Sequence, residues 1–431
     1  MKRKILISRA ALALLLALVL IPAKPHPAAA AESGLTVSQL VQIALQANPQ
    51  VRAARARWYA ATHNIKQNYA PADPVFSFFN EDSPRNPFFV QPTLQSFQVT
   101  QALQFPGKGY LQGKVALRTA DIARLTYQAV ARDLRAQVET GYYQLLLDAA
   151  LIGVAQENVA NLRQVLNVAQ VAYAANQVTQ TDFVTAEFAL ATAQQTQRQL
   201  ELNRSNDQTT MNQLLFRRPD EPLRLQGELE LAGIEQRLDQ LISLAKASRQ
   251  EILQTALVQR NAETALTLAK LEYAPDYTVG YTFDHYLLAT AGPAPTFLQD
   301  HTISLGLNVP IFFWLRQRED NTRAVYDLDA AREDLNSVVN QTAAQVTNFY
   351  RQAQFAYTTA RLYRDSLIPL ARQAFAVALV AYEGGKVDFV TLINTFRQHS
   401  DARVAYLQSL NQVLAQRIAL EQAIGRPLPN K

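Results

Sequence analysis

The chain has 431 residues, no cysteine and 43 glutamines, and it is 48% hydrophobic and 18% charged. That hydrophobic share excludes a disordered polymer. The missing cysteine excludes a disulfide scaffold, thiolate metal sites, thiol catalysis and a lipid-modified N-terminal cysteine. The formal charge is +5, but five of the 41 Lys and Arg lie in the first 31 residues, which hold no acid, so the remainder balances at 36 of each sign. A nucleic-acid partner therefore loses its main support.

Residues 1–31 read as a secretory signal. Lys2, Arg3, Lys4 and Arg9 precede an apolar run from Ala10 to Ile21, and Pro22, Pro25, Pro27 and the alanines 28–31 supply a small-residue cleavage region. The apolar run falls short of the ~20 residues a spanning helix needs, and nothing later is both long and apolar enough to replace it. Export without a helical anchor leaves a secreted, periplasmic or outer-membrane protein.

Beyond the signal, proline placement divides the chain into a unit at 32–215, a linker at 216–240, a second unit at 241–425 and a tail at 426–431. A first short helix leads to strands expected near 73–81 and 94–105. No proline occurs between Pro106 and Pro219, and the helix formers Ala, Leu, Gln and Arg dominate, so helices are expected over 110–175 and 180–215. The first would run roughly 100 Å at 1.5 Å per residue, and such length demands partner helices. Val159, Leu162, Leu166, Ala169 and Tyr173 supply one apolar seam at 3-4-3-4 spacing. After the linker the pattern returns, with strands near 276–286 and 300–312 and helices over 318–382 and 388–424.

The return is close enough to indicate duplication. Adding 209 to each seam position gives Ile368, Ala371, Phe375, Ala378 and Tyr382. Asn68-Tyr69-Ala70-Pro71 is echoed by Glu272-Tyr273-Ala274-Pro275, and Gln104-Phe105-Pro106 by Asn308-Val309-Pro310.

The strands change the period to two. Phe97, Val99, Gln101, Leu103 and Phe105 alternate with Ser96, Gln98 and Thr100, then Ala102 and Gln104; Ile303, Leu305, Leu307 and Val309 alternate with Thr302, Ser304, Gly306 and Asn308. Tyr277, Val279, Tyr281 and Phe283 repeat the pattern, whereas Val75 to Asn80 alternate poorly. One face is apolar and the other small and uncharged, which suits lipid outside and water inside. Ser96, Gln98, Thr100, Thr302, Ser304 and Asn308 are the lumen-facing candidates. Four strands cannot close a membrane barrel, for which eight is the practical minimum, and an open edge has no water to bond in lipid. Copies must therefore associate, two giving eight strands and three giving twelve. The plainer reading is two hairpins packed on a soluble core.

This arrangement resembles the TolC family of outer-membrane efflux ducts across nearly the whole mature chain. The segment from Leu35-Thr36-Val37-Ser38 to Ala47-Asn48-Pro49 is similar to that family's first mature helix. Phe105-Pro106-Gly107-Lys108 resembles the strand-to-helix turn of members that serve heavy-metal and related resistance-nodulation-division pumps. Tyr173-Ala174-Ala175-Asn176-Gln177-Val178 and Tyr382-Glu383-Gly384-Gly385-Lys386-Val387 resemble the two helical tips. The resemblance implies a mainly α chain with a membrane β portion and two tandem repeats. It further implies a homotrimer with a twelve-stranded barrel, a long α-helical barrel beneath it, and an equatorial region at 216–240. It also implies outer-membrane lipid around the barrel, and a periplasmic adaptor and inner-membrane pump at the tips. Asn176, Gln177, Val178, Thr179 and Gln180, with Gly384, Gly385, Lys386, Val387 and Asp388, would then meet the adaptor. Some members carry acids at the positions of Thr391 and Asn394, forming a cation-selective ring at the closed pore. Here both are neutral. A gapless alignment sets Asp182 opposite Thr391, so Asp182, Thr391 and Asn394 mark the constriction, with gating left to tip packing. Aligning the two Asp-Phe-Val triplets at 182–184 and 388–390 instead needs a three-residue gap.

Chemistry is sparse. The mature chain's histidines, His63, His285, His301 and His399, show no ligand spacing. His285 and His301 flank the second predicted loop, where coincidence is the simpler account. Nucleotide and hydrolase motifs are absent, and Glu333-Asp334 reads as a solvated helix face. No cofactor, metal site or enzymatic activity is expected. The sequence points to a passive exit duct of a tripartite efflux system. The alternatives are a duct for one-step protein secretion and a soluble periplasmic coiled-coil scaffold.

Overall fold

In the computed structural model, residues 34–81, 94–174, 178–288 and 296–428 are described. The signal at 1–31 and the tip residues Asn176 and Gln177 lie outside them.

Capping chemistry starts and stops the first helices. Thr36 and Gln39 form a reciprocal capping box at α1 (Val37–Ala47). Asn48 ends α1 and opens α2 (Pro49–Tyr69): its side-chain Oδ1 accepts from the Gln50 N–H at 2.9 Å, and its side-chain Nδ2 donates to the Leu214 carbonyl at 3.1 Å. β1 (Val75–Glu81) and β2 (Leu94–Leu103) follow, then α3 (Lys108–Ala174) and α4 (Gln180–Leu214). The second copy repeats the order as α5 (Leu238–Ser248), α6 (Gln250–Leu271), β3 (Asp276–Leu288), β4 (Thr296–Asn308) and α7 (Gln317–Leu362). A π-helical turn, Tyr363–Leu367, leads into α8 (Ile368–Glu383), and α9 (Phe389–Ile424) completes the chain's helices among the described residues.

Two elements differ from the sequence expectation. β4 ends at Asn308 instead of near 312: Pro310 has no N–H to offer a ladder, and the chain closes into turns, with Ile311 N–H on Val309 O and Leu315 N–H on Phe312 O. The helix expected over 318–382 is interrupted at 363–367. Equivalent buried positions explain the interruption. Ala116, Ala120 and Val138 match Ala324, Leu328 and Val346 at an offset of 208, whereas Ala169 matches Ala378 at 209. The second copy therefore holds one extra residue, and a π turn absorbs it within the helix. Pro369 sits in the first turn of α8, immediately after the wider turn, where its missing N–H is tolerated.

The strands form one antiparallel meander in the order β1-β2-β3-β4, with β1 and β4 at the edges. Below it, α3 packs against α2 and α6 near the sheet, and against α4 and α9 farther away, while α7 packs on α5, α6 and α9. Among the described residues there is no single core. Apolar clusters are strung along the helices, and two are copies of each other. Leu40, Ala44, Val138, Met211 and Leu215 bury together in the first, and Leu241, Ala245, Val346, Leu420 and Ile424 at equivalent positions in the second. The linker is tied to this level by the Tyr142 hydroxyl, which donates to the Gln226 carbonyl, and by a parallel bridge between Leu35 and Leu225.

Among the described residues three charged clips join the copies, one of them Arg403 of α9 with Glu157 of α3 at 2.6 Å. Arg132 on α3 donates to both carboxylate oxygens of Glu251 on α6, at 2.6 and 3.0 Å. Burial opposes the Glu251 charge, but the Arg132 bonds outweigh it and hold the carboxyl at about 2. Nearer the sheet, the Lys108 ammonium is 2% exposed and lies 2.9 Å from Asp276 and 3.2 Å from Glu272. Burial would lower its pKa, yet the bonds to Asp276 and Glu272 raise it above the ordinary lysine value. Gly107 precedes it with φ +104°, a conformation that glycine adopts without strain, and so turns the chain from strand into helix. Removing Lys108 strands two carboxylates that are 43% and 36% exposed and can rehydrate. Lys108→Ala should therefore cost about 2 kcal/mol, below the cost of breaking a fully buried pair, measurable by thermal unfolding in detergent.

Candidate functional site

The register sorts the strand residues into two faces. Ser96 pairs with Asp284 and Asp284 with Asp300; Gln98 pairs with Thr282 and Thr282 with Thr302; Thr100 pairs with Gly280 and Gly280 with Ser304; Asp276 pairs with Asn308. Directly paired residues share a face, so Ser96, Gln98, Thr100, Thr302, Ser304 and Asn308 all fall on one side. A Cβ at Gly280 would meet Ser304 Oγ at 2.4 Å, so the row is closely packed. The opposite side carries Val99, Tyr281 and Ile303 in one row, and Leu103, Tyr277 and Leu307 in another. Ile303 and Leu305 are 80% and 72% exposed. β1 breaks the pattern, because Val75 and Phe79 pair with Thr100 and Ser96 on the polar side. Gln101, His301 and the row Gln95, His285 and Gln299 interrupt this side, but its exposed aliphatic and aromatic groups suit an apolar environment.

The tips form at the far end of the helices. α8 closes on Gly384 and Gly385. The Gly385 N–H bonds Tyr382 O at 3.0 Å, the Lys386 N–H bonds Ala381 O at 2.8 Å, and Gly385 adopts φ +67°. That is a Schellman closure, which needs the left-handed conformation at Gly385. Asp388 then caps α9 by accepting from the Thr391 N–H at 2.9 Å. Hydrogen bonds from the Thr391 side chain and backbone hold the Asp388 carboxyl below the usual range. At the first tip, Thr179 caps α4 and Asp182 accepts from the Thr179 N–H at 3.1 Å.

The two caps, Thr179 and Asp388, lie 209 positions apart, as do Asp182 and Thr391. The helix starts thus agree with the gapless alignment. The aromatic partners follow the other one, with Tyr173 stacked on Phe183 and Tyr382 edge-on to Phe389, each phenylalanine inside an Asp-Phe-Val triplet. Ala186 and Ala189 of α4 share an apolar cluster with Phe389, Ile393 and Phe396 of α9, so the two helix starts stand at one level. Thr391 and Asn394 are exposed there, and Asp182 is half-buried within its capping box. Val178, Thr179, Gln180, Lys386, Val387 and Asp388 cluster at this end, mostly exposed.

Other polar groups escaped the sequence reading. The Lys108 clip spans 164 and 168 residues, and its only trace is a Gly-Lys pair after one strand and acids before another. Asp148 on α3 is 3% exposed and accepts from Gln144 at 3.0 Å. Burial, then the charge of Asp207 on α4, pushes its carboxyl up to about 6. Among the described residues no group of three or more His, Asp or Glu side chains could hold a metal ion, and His301 Nδ1 bonds the Tyr281 hydroxyl at 2.8 Å. No helix of the described residues is long and apolar enough to cross a membrane.

Long paired helices, a two-faced sheet and two capped tips together define an outer-membrane channel. The family model described as outer membrane efflux protein matches residues 40–215 and 241–426, and the chain belongs to that family. It is 20% identical, over 94% of its length and 93% of the other chain, to the cobalt-zinc-cadmium resistance protein CzcC of Cupriavidus metallidurans. Its fold is similar to the outer-membrane protein VceC of Vibrio cholerae, with a TM-score of 0.76 at 15% identity over 91% of this chain and 96% of the other. It is likewise similar to the open state of the Neisseria gonorrhoeae outer-membrane channel MtrE, with a TM-score of 0.74 at 15% identity over 90% and 89% of the two chains. The protein works in the outer membrane as an efflux channel.

The caps can be tested directly. Thr179→Ala and Asp388→Ala should each cost about 1 kcal/mol of local helix stability, read as faster amide hydrogen exchange in the first turns of α4 and α9. Unchanged exchange there would show that the caps do not hold the tips.

Proposed function

We propose that three copies of this chain close into a passive exit duct, with a twelve-stranded barrel in the outer membrane and a helical barrel reaching into the periplasm. The observation that carries this reading is the four-stranded sheet, polar on one face, apolar on the other and open at both edges. In hydrocarbon each unpaired edge N–H and C=O lacks a partner, and pairing β4 of one copy with β1 of the next removes both edges. The row Ser96, Gln98, Thr100, Thr302, Ser304 and Asn308 then lines the water-filled lumen. Solute moves by diffusion along it, driven by a pump in the inner membrane.

A periplasmic adaptor meets the tips in this reading, at Asn176, Gln177, Val178, Thr179 and Gln180 and at Gly384, Gly385, Lys386, Val387 and Asp388. Asp182, Thr391 and Asn394 stand at the narrowest point, and adaptor binding shifts the tip helices from closed to open packing. With Thr391 and Asn394 neutral, closure rests on apolar contacts such as Phe389 with Ala186, not on a carboxylate ring.

Two experiments separate barrel from tip. Leu305→Arg should impair assembly by about 2–4 kcal/mol if it lies near the bilayer midplane, while Ser304→Arg should assemble and alter single-channel conductance in planar bilayers. Equal assembly defects would contradict the assignment of faces. Gly385→Pro cannot adopt the +67° φ seen there; it should leave the trimer intact and reduce export in cells. Normal export by that variant would remove the second tip from the mechanism.

A further inference from the structure

α2 and α7 stand at opposite sides of the helix layer, and their charges are opposite. α2 presents Arg52, Arg55, Arg57 and Lys66, all exposed, and has no acid. Among the described residues none of the four makes an ion pair; Arg55 bonds the Tyr59 hydroxyl and Arg52 lies over the Phe216 ring at 5.9 Å. The first half of α7 carries Glu319, Asp320, Asp327, Asp329, Glu333 and Asp334 against Arg318, Arg323 and Arg332. Arg323 pairs with Asp320 and Arg332 with Asp329, which leaves Asp327, Glu333 and Asp334 exposed without ion pairs.

The heights agree as well. α2 ends at Tyr69 just before β1, and α7 begins at Gln317 just after β4. At 1.5 Å per residue, Lys66 and Arg52 stand about 5 and 26 Å below Tyr69, and Glu319 and Asp334 about 3 and 26 Å below Gln317.

The interior of the chain shows how such helices meet. β2 pairs with β3, α3 packs on α6, and Arg132 of α3 grips Glu251 of α6. By the repeat, α7 corresponds to α3 and α2 to α6. Applying the same step across the edges sets α7 of one copy against α2 of the next.

We propose that these edges form a charge-complementary, head-to-tail seam between copies of this chain. The inference rests on the oligomeric duct proposed above and adds what decides its direction. Contact between like edges would put four bases against four, or two segments that each carry six acids and only three arginines, so both like pairings are disfavoured. A heterologous contact satisfies both edges and closes a ring once the rotation fits. Opposed potentials suppress the wrong partner face and fix register.

The test is a charge exchange in the full chain. One variant combines Arg52→Glu, Arg55→Glu and Arg57→Glu; another combines Asp327→Lys, Glu333→Lys and Asp334→Lys; a third carries all six. Trimer is read by light scattering in detergent, with circular dichroism reporting helix content. Each triple variant should lose about tenfold or more of its trimer, and the six-fold variant should recover most of it. Trimer yields like wild type in the triples, or a six-fold variant no better than either triple, would overturn the seam even if a triple failed to fold. Wild-type trimers that conduct, without the exchange pattern, would leave the duct standing and sink the seam. A wild type that forms no trimer at all would sink both.

Discussion

Backbone hydrogen bonding in a solvent that offers none is the constraint from which the rest follows. A four-stranded sheet leaves the outward N–H and C=O groups of β1 and β4 unpaired. In water that is tolerable; at the depth of a membrane each such group costs several kcal/mol. Those unpaired edges are the physical reason for the association of copies proposed above. The same incompleteness reappears below the sheet, where α3 is packed on both flanks while α2 and α7 each lack a neighbour on one side. Sheet and helix layer run out of partners at the same two edges.

Duplication is how the chain reaches this state, and the buried residues record it with more precision than the exposed ones. Leu40 and Leu241, Val138 and Val346, and Met211 and Leu420 occupy the same places in two cores. The cores are small, so long helices are held by several short apolar clusters joined by amide and alanine surface. Such helices can shift against each other without breaking one large core, which a tip that opens requires. The π turn at 363–367 lies between the equatorial cluster and the tip, and it corrects the helical register by one residue so that Ala378 still matches Ala169.

Much of this was legible in the residues. The alternation from Ser96 to Phe105 and from Thr302 to Val309 reports the two sheet faces because period two survives any choice of partner strand. The seam from Val159 to Tyr173 and its copy report the coiled helices for the same reason: both are local repeats. What could not be read is long-range or depends on a single residue. Nothing near Lys108 names Glu272 or Asp276 as its partners, and only the folded meander brings β3's first residue beneath β2's last. The extra residue that makes the π turn was hidden by aligning tips and strands separately, at 209 and 204; comparing Val138 with Val346 at 208 exposes it. β4 ends at Asn308, short of the strand expected over 300–312, because the missing N–H of Pro310 outweighs the alternation that runs to Val309.

The two copies differ most where they meet something other than each other. Their inner halves share Arg132 with Glu251 and Lys108 with Asp276, contacts made once per chain and needing no symmetry. The outer halves differ: α2 has no acid, while the first half of α7 has six. At the corresponding strand-to-helix turns, the first copy buries Lys108 and the second exposes Phe312, Phe313 and Trp314. A perfect repeat would have one kind of edge and could add units in any number, because each seam would equal every other. In the ring proposed above, unequal copies distinguish the seam inside a chain from the seam between chains. Inside, covalent linkage makes association unimolecular, and the ion pairs there join elements that the chain already holds together. Between chains, partners must be found by diffusion among many similar apolar surfaces, and long-range charge is the property that acts before contact. In that ring the asymmetry of α2 and α7 falls at the seam between chains, where steering by charge acts before contact.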